Sequence, residues 1–319
     1  MKTTYKIGAW IHPLLVVIIL SFSMTACNED DTFTESIFVD KPAQDPGSAT
    51  YAFDSWLDAN YLVPYNLQFR YKMQDVGSDM DYNLVPTSLE RSESMAILVK
   101  YLWFDVYKEV VSETFLKEHG PRIIHLIGSP AYNPSLGTMV LGTAEGGIKV
   151  TLYNCNMLNV NNLNIDVMNE YYFKTIHHEF AHILHQKRMY PKEFENYSAG
   201  YYDPDGWQHR TDSEAASLGF VSPYAGSQPR EDFVEIIANY IVKTDAQWNA
   251  ILDRASKPGV NQSGETVQDP LDGKALILIK LGIAEKWLKE AWQIELKTLR
   301  AEVQERQLHI AEVLNESYW

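Results

Sequence analysis

Apolar residues recur along this chain with a period that changes from stretch to stretch, and the changes divide it into elements. The first run, residues 14–20, is continuous and apolar behind Lys2 and Lys6, the pattern of a secretory leader and too short to span a membrane. Over residues 65–73 apolar and polar positions partly alternate, which predicts a strand. Met95, Leu98, Leu102, Val106 and Val110 then recur every three or four residues. That spacing predicts a helix, and Thr87-Ser88-Leu89-Glu90 behind Pro86 fits a capping box at its start. Residues 122–128 and 137–143 are short apolar runs bounded by Gly and Pro, read as strands. In residues 148–153, Ile148, Val150 and Leu152 alternate with Lys149, Thr151 and Tyr153, a half-exposed strand. Such a strand is either an ordinary member of a sheet or an edge on which an extended peptide could lie by β-augmentation.

A longer helix follows over residues 167–189, closed by Pro191. Phe173, Ile176, Phe180, Ile183 and Leu184 give it a core face, and His178, His182 and His185 give it a polar stripe; His177 points elsewhere, as a core residue. Residues 192–230 are rich in Gly and Pro and read as an irregular, functional loop. Helices are expected at 231–243, at 246–256 and from 272 towards the C-terminus, with a break at Gly282. Strands mixed with helices come first and helices alone come after. The fold class is therefore α+β, with an α/β part over 51–190, a helical part over 191–319 and a cleft between them.

The stripe carries chemistry. His178-Glu179-Phe180-Ala181-His182 is an H-E-x-x-H motif, and on a helix residues four apart share one face, so two imidazoles can hold one metal ion. Glu179 is then placed to act on a water at an open fourth position, which a catalytic Zn²⁺ keeps beside three protein ligands. One ligand is missing from the motif. The H-E-x-x-H-x-x-G-x-x-H pattern would need Gly at 185 and His at 188, where the chain has His185 and Arg188, so that class is excluded. His185 lies two turns past His178, too far along the axis to share its ion, and reads as a cleft neighbour. Downstream, Glu231 and Glu235 stand one turn apart at the start of an apolar helix. Glu231 could complete the metal site and Glu235 could accept a hydrogen bond from the distal nitrogen of His178. The same pair also reads as an acidic first turn favoured by the helix dipole. His209, Asp203 and Asp205 are reserve ligands. Tyr224, seven residues before Glu231, could donate to an oxyanion or simply pack.

Composition narrows the setting. At 319 residues and 45% hydrophobic, the chain is globular behind its leader. Ser23-Met24-Thr25-Ala26 before Cys27 resemble a bacterial lipobox, with Met24 where Leu is usual, so residues 1–26 read as a lipoprotein signal peptide and Cys27 as the acylated residue. Asn28-Glu29-Asp30-Asp31 opens an acidic, flexible tether over 27–50, followed by one domain over 51–319. Loss of the leader takes two lysines and moves the net charge from −15 to −17, which argues against nucleic acid and against docking on anionic lipid by charge. Cys155 is then the one cysteine besides Cys27, so no intramolecular disulfide is available.

H-H-E-F-A-H together with Y-x₆-E-x-x-x-E is similar to the zincin clan of metallopeptidases, in particular its gluzincin-like branch. With the lipobox and the acidic N-terminus, the chain resembles the zinc-binding metallopeptidase lipoproteins associated with TonB-dependent substrate-import systems of Bacteroidota. The metal motifs cover residues 178–235, and 51–150 carry no motif. The resemblance implies a zincin-like fold: a small mixed sheet, a backing helix, the H-E-x-x-H helix and a mainly helical C-terminal subdomain. It also implies one Zn²⁺ on His178, His182 and Glu231, Glu179 as general base and a peptide or protein substrate. The expected location is the outer membrane, anchored through Cys27 and facing the exterior, beside a TonB-dependent importer complex. A reading of another class is a non-catalytic surface-binding lipoprotein that captures peptide or glycan on its aromatics. Glu179 favours an enzyme, since a pure binder needs no general base.

Overall fold

The computed structural model describes residues 44–73, 82–133, 138–145, 147–267, 272–316 and 318. The leader, the lipobox, Cys27 and most of the expected tether lie outside the described residues. Residues 47–319 form one unit.

Its strands are β1 (Gln68–Arg70), β2 (Ile123–Leu126), β3 (Ala131–Asn133), β4 (Thr138–Val140), β5 (Gly142–Glu145) and β6 (Lys149–Leu152). Four of them make a mixed sheet in the order β1-β2-β6-β5, with β1, β2 and β6 parallel and β5 antiparallel at one edge. Ile124 pairs with Val150 and Leu126 with Leu152. The expected strand over 65–73 shrinks to β1, and the run 137–143 proves to be parts of two strands: β4 pairs with β3 while β5 joins the main sheet.

Of the two readings of 148–153, the ordinary sheet strand is the one found and the half-exposed edge is not: β6 lies inside the sheet, between β2 and β5. Val150, Thr151 and Leu152 are all buried, so the alternation in polarity does not report an alternation in exposure. A strand with parallel pairing is covered on both faces whatever the polarity of its side chains.

The helices pack on this sheet and on one another. The run α1 covers Tyr51–Leu57, a π turn at Asp58–Leu62 and Val63–Tyr65; α2 covers Leu89–Val99, a π turn at Lys100–Phe104 and Asp105–Val110. The capping box expected at the start of α2 does not form: the N-cap is Ser88 and not Thr87, which places Arg91 instead of Glu90 at the third helical position, and no side-chain cap bond is made. After α3 (Phe115–His119), the helix with the histidine stripe, α4, runs through Ile165–Met168, a π turn at Asn169–Phe173 and Lys174–Lys187. Asn164 caps it by accepting from the backbone N–H groups of Asp166 and Val167. Within the expected irregular stretch 192–230 lie a short α-helix, α5 (Asp212–Ser217), and 3₁₀ segments at Lys192–Ser198, Trp207–His209 and Tyr224–Gly226. Then come α6 (Pro229–Val242), α7 (Asp245–Ala255) with a formed Thr244–Gln247 capping box, α8 (Gly273–Trp292), α9 (Leu296–Gln307) and α10 (Ile310–Leu314). Helix α8 passes Gly282 unbroken, correcting the expected break: a single glycine costs a helix only about 1 kcal/mol, and the buried residues on either side hold it. A two-strand hairpin, β7 (Gly259–Val260) with β8 (Thr266–Val267), is the exception to an all-helical second half.

Helix α4 is seated on its neighbours by large side chains. Phe180 meets Trp103 at 5.5 Å and Tyr107 at 5.2 Å between ring centroids, which fixes its core face on α2. On its other side α6 is buried from Glu231 to Val242, polar residues included, so the two helices run together through the middle of the molecule. Gly142 lets the edge strand β5 lie directly on α4: a Cβ there would stand 2.3 Å from Thr175 Cγ2.

Candidate metal centre

Local sequence places the parts. The i, i+4 spacing on α4 brings the His178 and His182 Nε2 atoms within 3.1 Å of each other. Pro229 occupies the first turn of α6, where its fixed φ is favourable, and Glu231 follows in the same turn. Its Oε2 lies 3.1 Å from His182 Nε2 and 3.2 Å from His178 Nε2. The three donor atoms thus form a nearly equilateral triangle, and among the described residues these three are the group whose donors converge in this way.

That triangle fits zinc. Ligands about 2.0–2.1 Å from a tetrahedral Zn²⁺ stand about 3.3–3.4 Å apart, slightly more than the edges found, and two imidazoles with one carboxylate are a known catalytic donor set. His178 and Glu231 are buried and His182 is half-buried. His209, Asp203 and Asp205 do not join them; the Asp203 carboxylate accepts from the Gly206 backbone N–H instead.

Behind each imidazole stands a partner for its other nitrogen. His178 Nδ1 donates to Glu235 Oε1 at 2.9 Å, and the second Glu235 oxygen accepts from Ser222 Oγ at 2.7 Å and Asn239 Nδ2 at 3.2 Å. With both its oxygens held, Glu235 fixes the tautomer that leaves His178 Nε2 free as a ligand. His182 Nδ1 is 2.8 Å from His185 Nε2, so in the ligating tautomer its N–H donates to His185. His177 turns away into the core, 3.4 Å from the Tyr107 hydroxyl, where burial lowers its pKa to about 3 and keeps it neutral.

Charge is concentrated here. Burial would lower the His178 pKa, but its bonds to Glu231 and Glu235 and the nearby negative charges push it up to about 10. Burial would raise the two carboxylates; the histidine contacts instead hold Glu231 well below its usual range and Glu235 down at about 2. The metal-free protein therefore carries a proton on His178 at neutral pH, and a metal ligand must give it up. Zinc binding at pH 8 is expected to release close to one proton from this ring, read by calorimetry in buffers of different ionisation enthalpy. Uptake without proton release would contradict the arrangement. Glu235→Gln is expected to weaken zinc binding about 10–100-fold, measured by chelator competition; unchanged affinity would remove Glu235 from its role.

Glu179 is buried and lines the same cleft, beside His178. The Tyr224 ring lies 5.8 Å from the His178 ring and 4.9 Å from Trp207; burial and then the Glu231 charge raise its phenol far above the ordinary value, so it stays protonated. The cleft has a volume of about 760 Å³ and is bounded by α4, α6, α7, the loop before Tyr224 and the 139–142 segment. Ser222 and Asn239 were not legible as site residues; Asn239 gave a signal in standing one turn past Glu235, whereas Ser222 arrives from a loop and gave none. No helix among the described residues is long and apolar enough to cross a membrane.

With this geometry in view, known proteins are informative. Residues 48–297 match the family described as "Putative zinc-binding metallo-peptidase". The crystal structure of a protein described in the same words, from Bacteroides caccae, is similar at 43% identity and a TM-score of 0.68, over 87% of this chain and 97% of that one. No curated protein matches the chain.

Proposed function

Because the chain belongs to that zinc-binding metallo-peptidase family, we propose that it is a zinc-dependent peptidase of the zincin clan, gluzincin-like in its ligand set, acting on peptide bonds at the bacterial cell surface. The observation that carries this reading is the His178–His182–Glu231 triangle of converging donors with Glu179 beside it in an open cleft.

His178, His182 and Glu231 hold the ion, Glu235 and His185 orient the two rings, and Glu179 takes a proton from the attacking water and passes it to the leaving amine. A zinc ion at this position supplies Lewis-acid chemistry: it polarises a carbonyl and lowers the pKa of water towards 7. Tyr224, protonated and next to the site, donates to the oxygen on which negative charge develops. Glu231→Ala is expected to leave a folded protein with zinc affinity reduced by orders of magnitude; full zinc content would transfer the third ligand to another residue. Cleavage of a mixed peptide library by the zinc-loaded protein, abolished by chelator, tests the activity itself.

The surface location rests on the leader, Cys27 and the acidic run after it, and the association with a TonB-dependent importer rests on the resemblance those features support. Cys27→Ala is expected to shift the protein from the membrane fraction to the soluble fraction on cell fractionation; retention in the membrane would sink the lipid anchor.

A further inference from the structure

The cleft continues past the metal centre along two ladders of residues. On α4, Lys174 and Glu170 stand one and two turns before His178, about 6 and 12 Å along the axis. On α6, Asn239 and Lys243 stand one and two turns after Glu235. The ladders face each other: His178 bonds Glu235 at one end, and Lys243 Nζ lies 3.8 Å from Glu170 Oε2 at the other. The same cleft is also lined by the apolar Leu141, Val221 and Ile251 and by Arg254 of α7.

The charge of this end departs from that of the chain. Net charge overall is −15, yet the far end of the cleft gathers Lys174, Lys243 and Arg254 against Glu170 and Asp212. Lys174 is largely buried, its hydrogen bond to Glu170 using one of three N–H donors. Glu170 lies half exposed between two lysines, and Arg254 and Asp212 pair at 3.3 Å with both side chains open to solvent. Lys174 and Lys243 both line the cleft, within about two helical turns of His178 and Glu235, and Lys174 also lies in the field of the Glu235 and Asp212 carboxylates.

We infer that this end of the cleft is a binding subsite for a carboxylate of the substrate, an acidic side chain or the C-terminal carboxylate, recognised by Lys174 and Lys243. The inference rests on the peptidase reading for its substrate but has its own test. The probe set is acetylated hexapeptides in which glutamate or glutamine is moved through each position, each made as the free acid and as the amide. Binding is measured by calorimetry on zinc-loaded Glu179→Gln protein, which does not consume them.

A carboxylate-bearing peptide should bind roughly tenfold or more tightly than its amide isostere. The glutamate series and the free-acid series show which source of carboxylate is used. The preference should vanish in Lys174→Met/Lys243→Met and return in Lys174→Arg/Lys243→Arg, with zinc content unchanged in both. Equal affinity for acid and amide, or a preference that survives the double methionine variant, overturns the proposal. If wild-type protein cuts none of these peptides while the preference holds, the peptidase reading fails and the subsite stands, in a protein that captures acidic peptide.

Discussion

Glu179→Gln protein is expected to keep one zinc per chain while peptide turnover falls about 10²–10⁴-fold, the usual share of a general base. Glutamine has the shape of glutamate and lines the same wall, but it cannot accept the proton that the attacking water must lose. Glu179 is not one of the three converging donors, so the triangle of His178, His182 and Glu231 stays intact. Paired assays decide the matter: zinc content by metal analysis, and cleavage of the wild type's best library peptide. Near wild-type cleavage would move the base elsewhere, and loss of zinc would mean that Glu179 supports the ligands directly.

Lys280→Met is expected to be the most destabilising single change away from the metal centre. Lys280 is fully buried on α8, with Nζ 2.6 Å from Asp232 Oδ2 and 3.1 Å from Ser198 Oγ, over the Phe220 ring at 4.6 Å. Tyr202 also donates to the same Asp232 oxygen. Burial pushes the lysine pKa down and the aspartate pKa up, while their mutual attraction opposes both shifts. Removing the cation leaves a buried carboxylate without compensation, a loss of about 3–5 kcal/mol against total stabilities of about 5–15.

Urea unfolding at pH 7 measures this loss, and Lys280→Met/Asp232→Leu should recover much of it by removing both charges. The pH dependence has a definite sign. A carboxylate whose folded pKa is raised contributes stability below its unfolded pKa and loses it as pH rises through the folded one, so the deficit of the single variant should be smaller at pH 5 than at pH 8. A deficit equal at both values would mean that the charge of Asp232 is not its source. Since Asp232 follows Glu231 in the first turn of α6, the pair also ties that turn to α8, and the single variant should hold zinc less tightly.

Much of the candidate site was legible because its parts are local. The spacing of His178 and His182, the position of Glu179 and the E-x-x-x-E pair are consequences of helical period, which sequence carries directly. Contacts made by that pair were also anticipated in kind: Glu231 stands with the two histidines and Glu235 with His178 Nδ1. Other features escaped for definite reasons. Which of two readings of β6 holds, inside the sheet or at its edge, stayed open in the sequence, because exposure of a strand depends on which neighbours pair with it and which elements cover it; the edges are β1 and β5. The capping box at α2 failed because the helix starts one residue later than the pattern suggests, with Ser88 as its N-cap, its N–H held by Asn156 from 68 residues away.

By itself, then, the sequence determined that this chain would build an α+β domain around a helix carrying half of a candidate metal site, and that a residue further along the chain would have to supply the rest. Helical period and hydrophobic spacing act over a few residues, and they suffice for that. Only the tertiary structure decided that Glu231 closes the triangle and that Asp203, Asp205 and His209 stay outside it. It also decided that Ser222 and Asn239 brace Glu235, and that Lys174 and Lys243 face one cleft. Each of these depends on contacts between distant parts of the chain: α4 is seated on α2 through Trp103, Tyr107 and Phe180, α6 is tied to α8 by the buried Asp232–Lys280 pair, and Ser222 arrives from a loop.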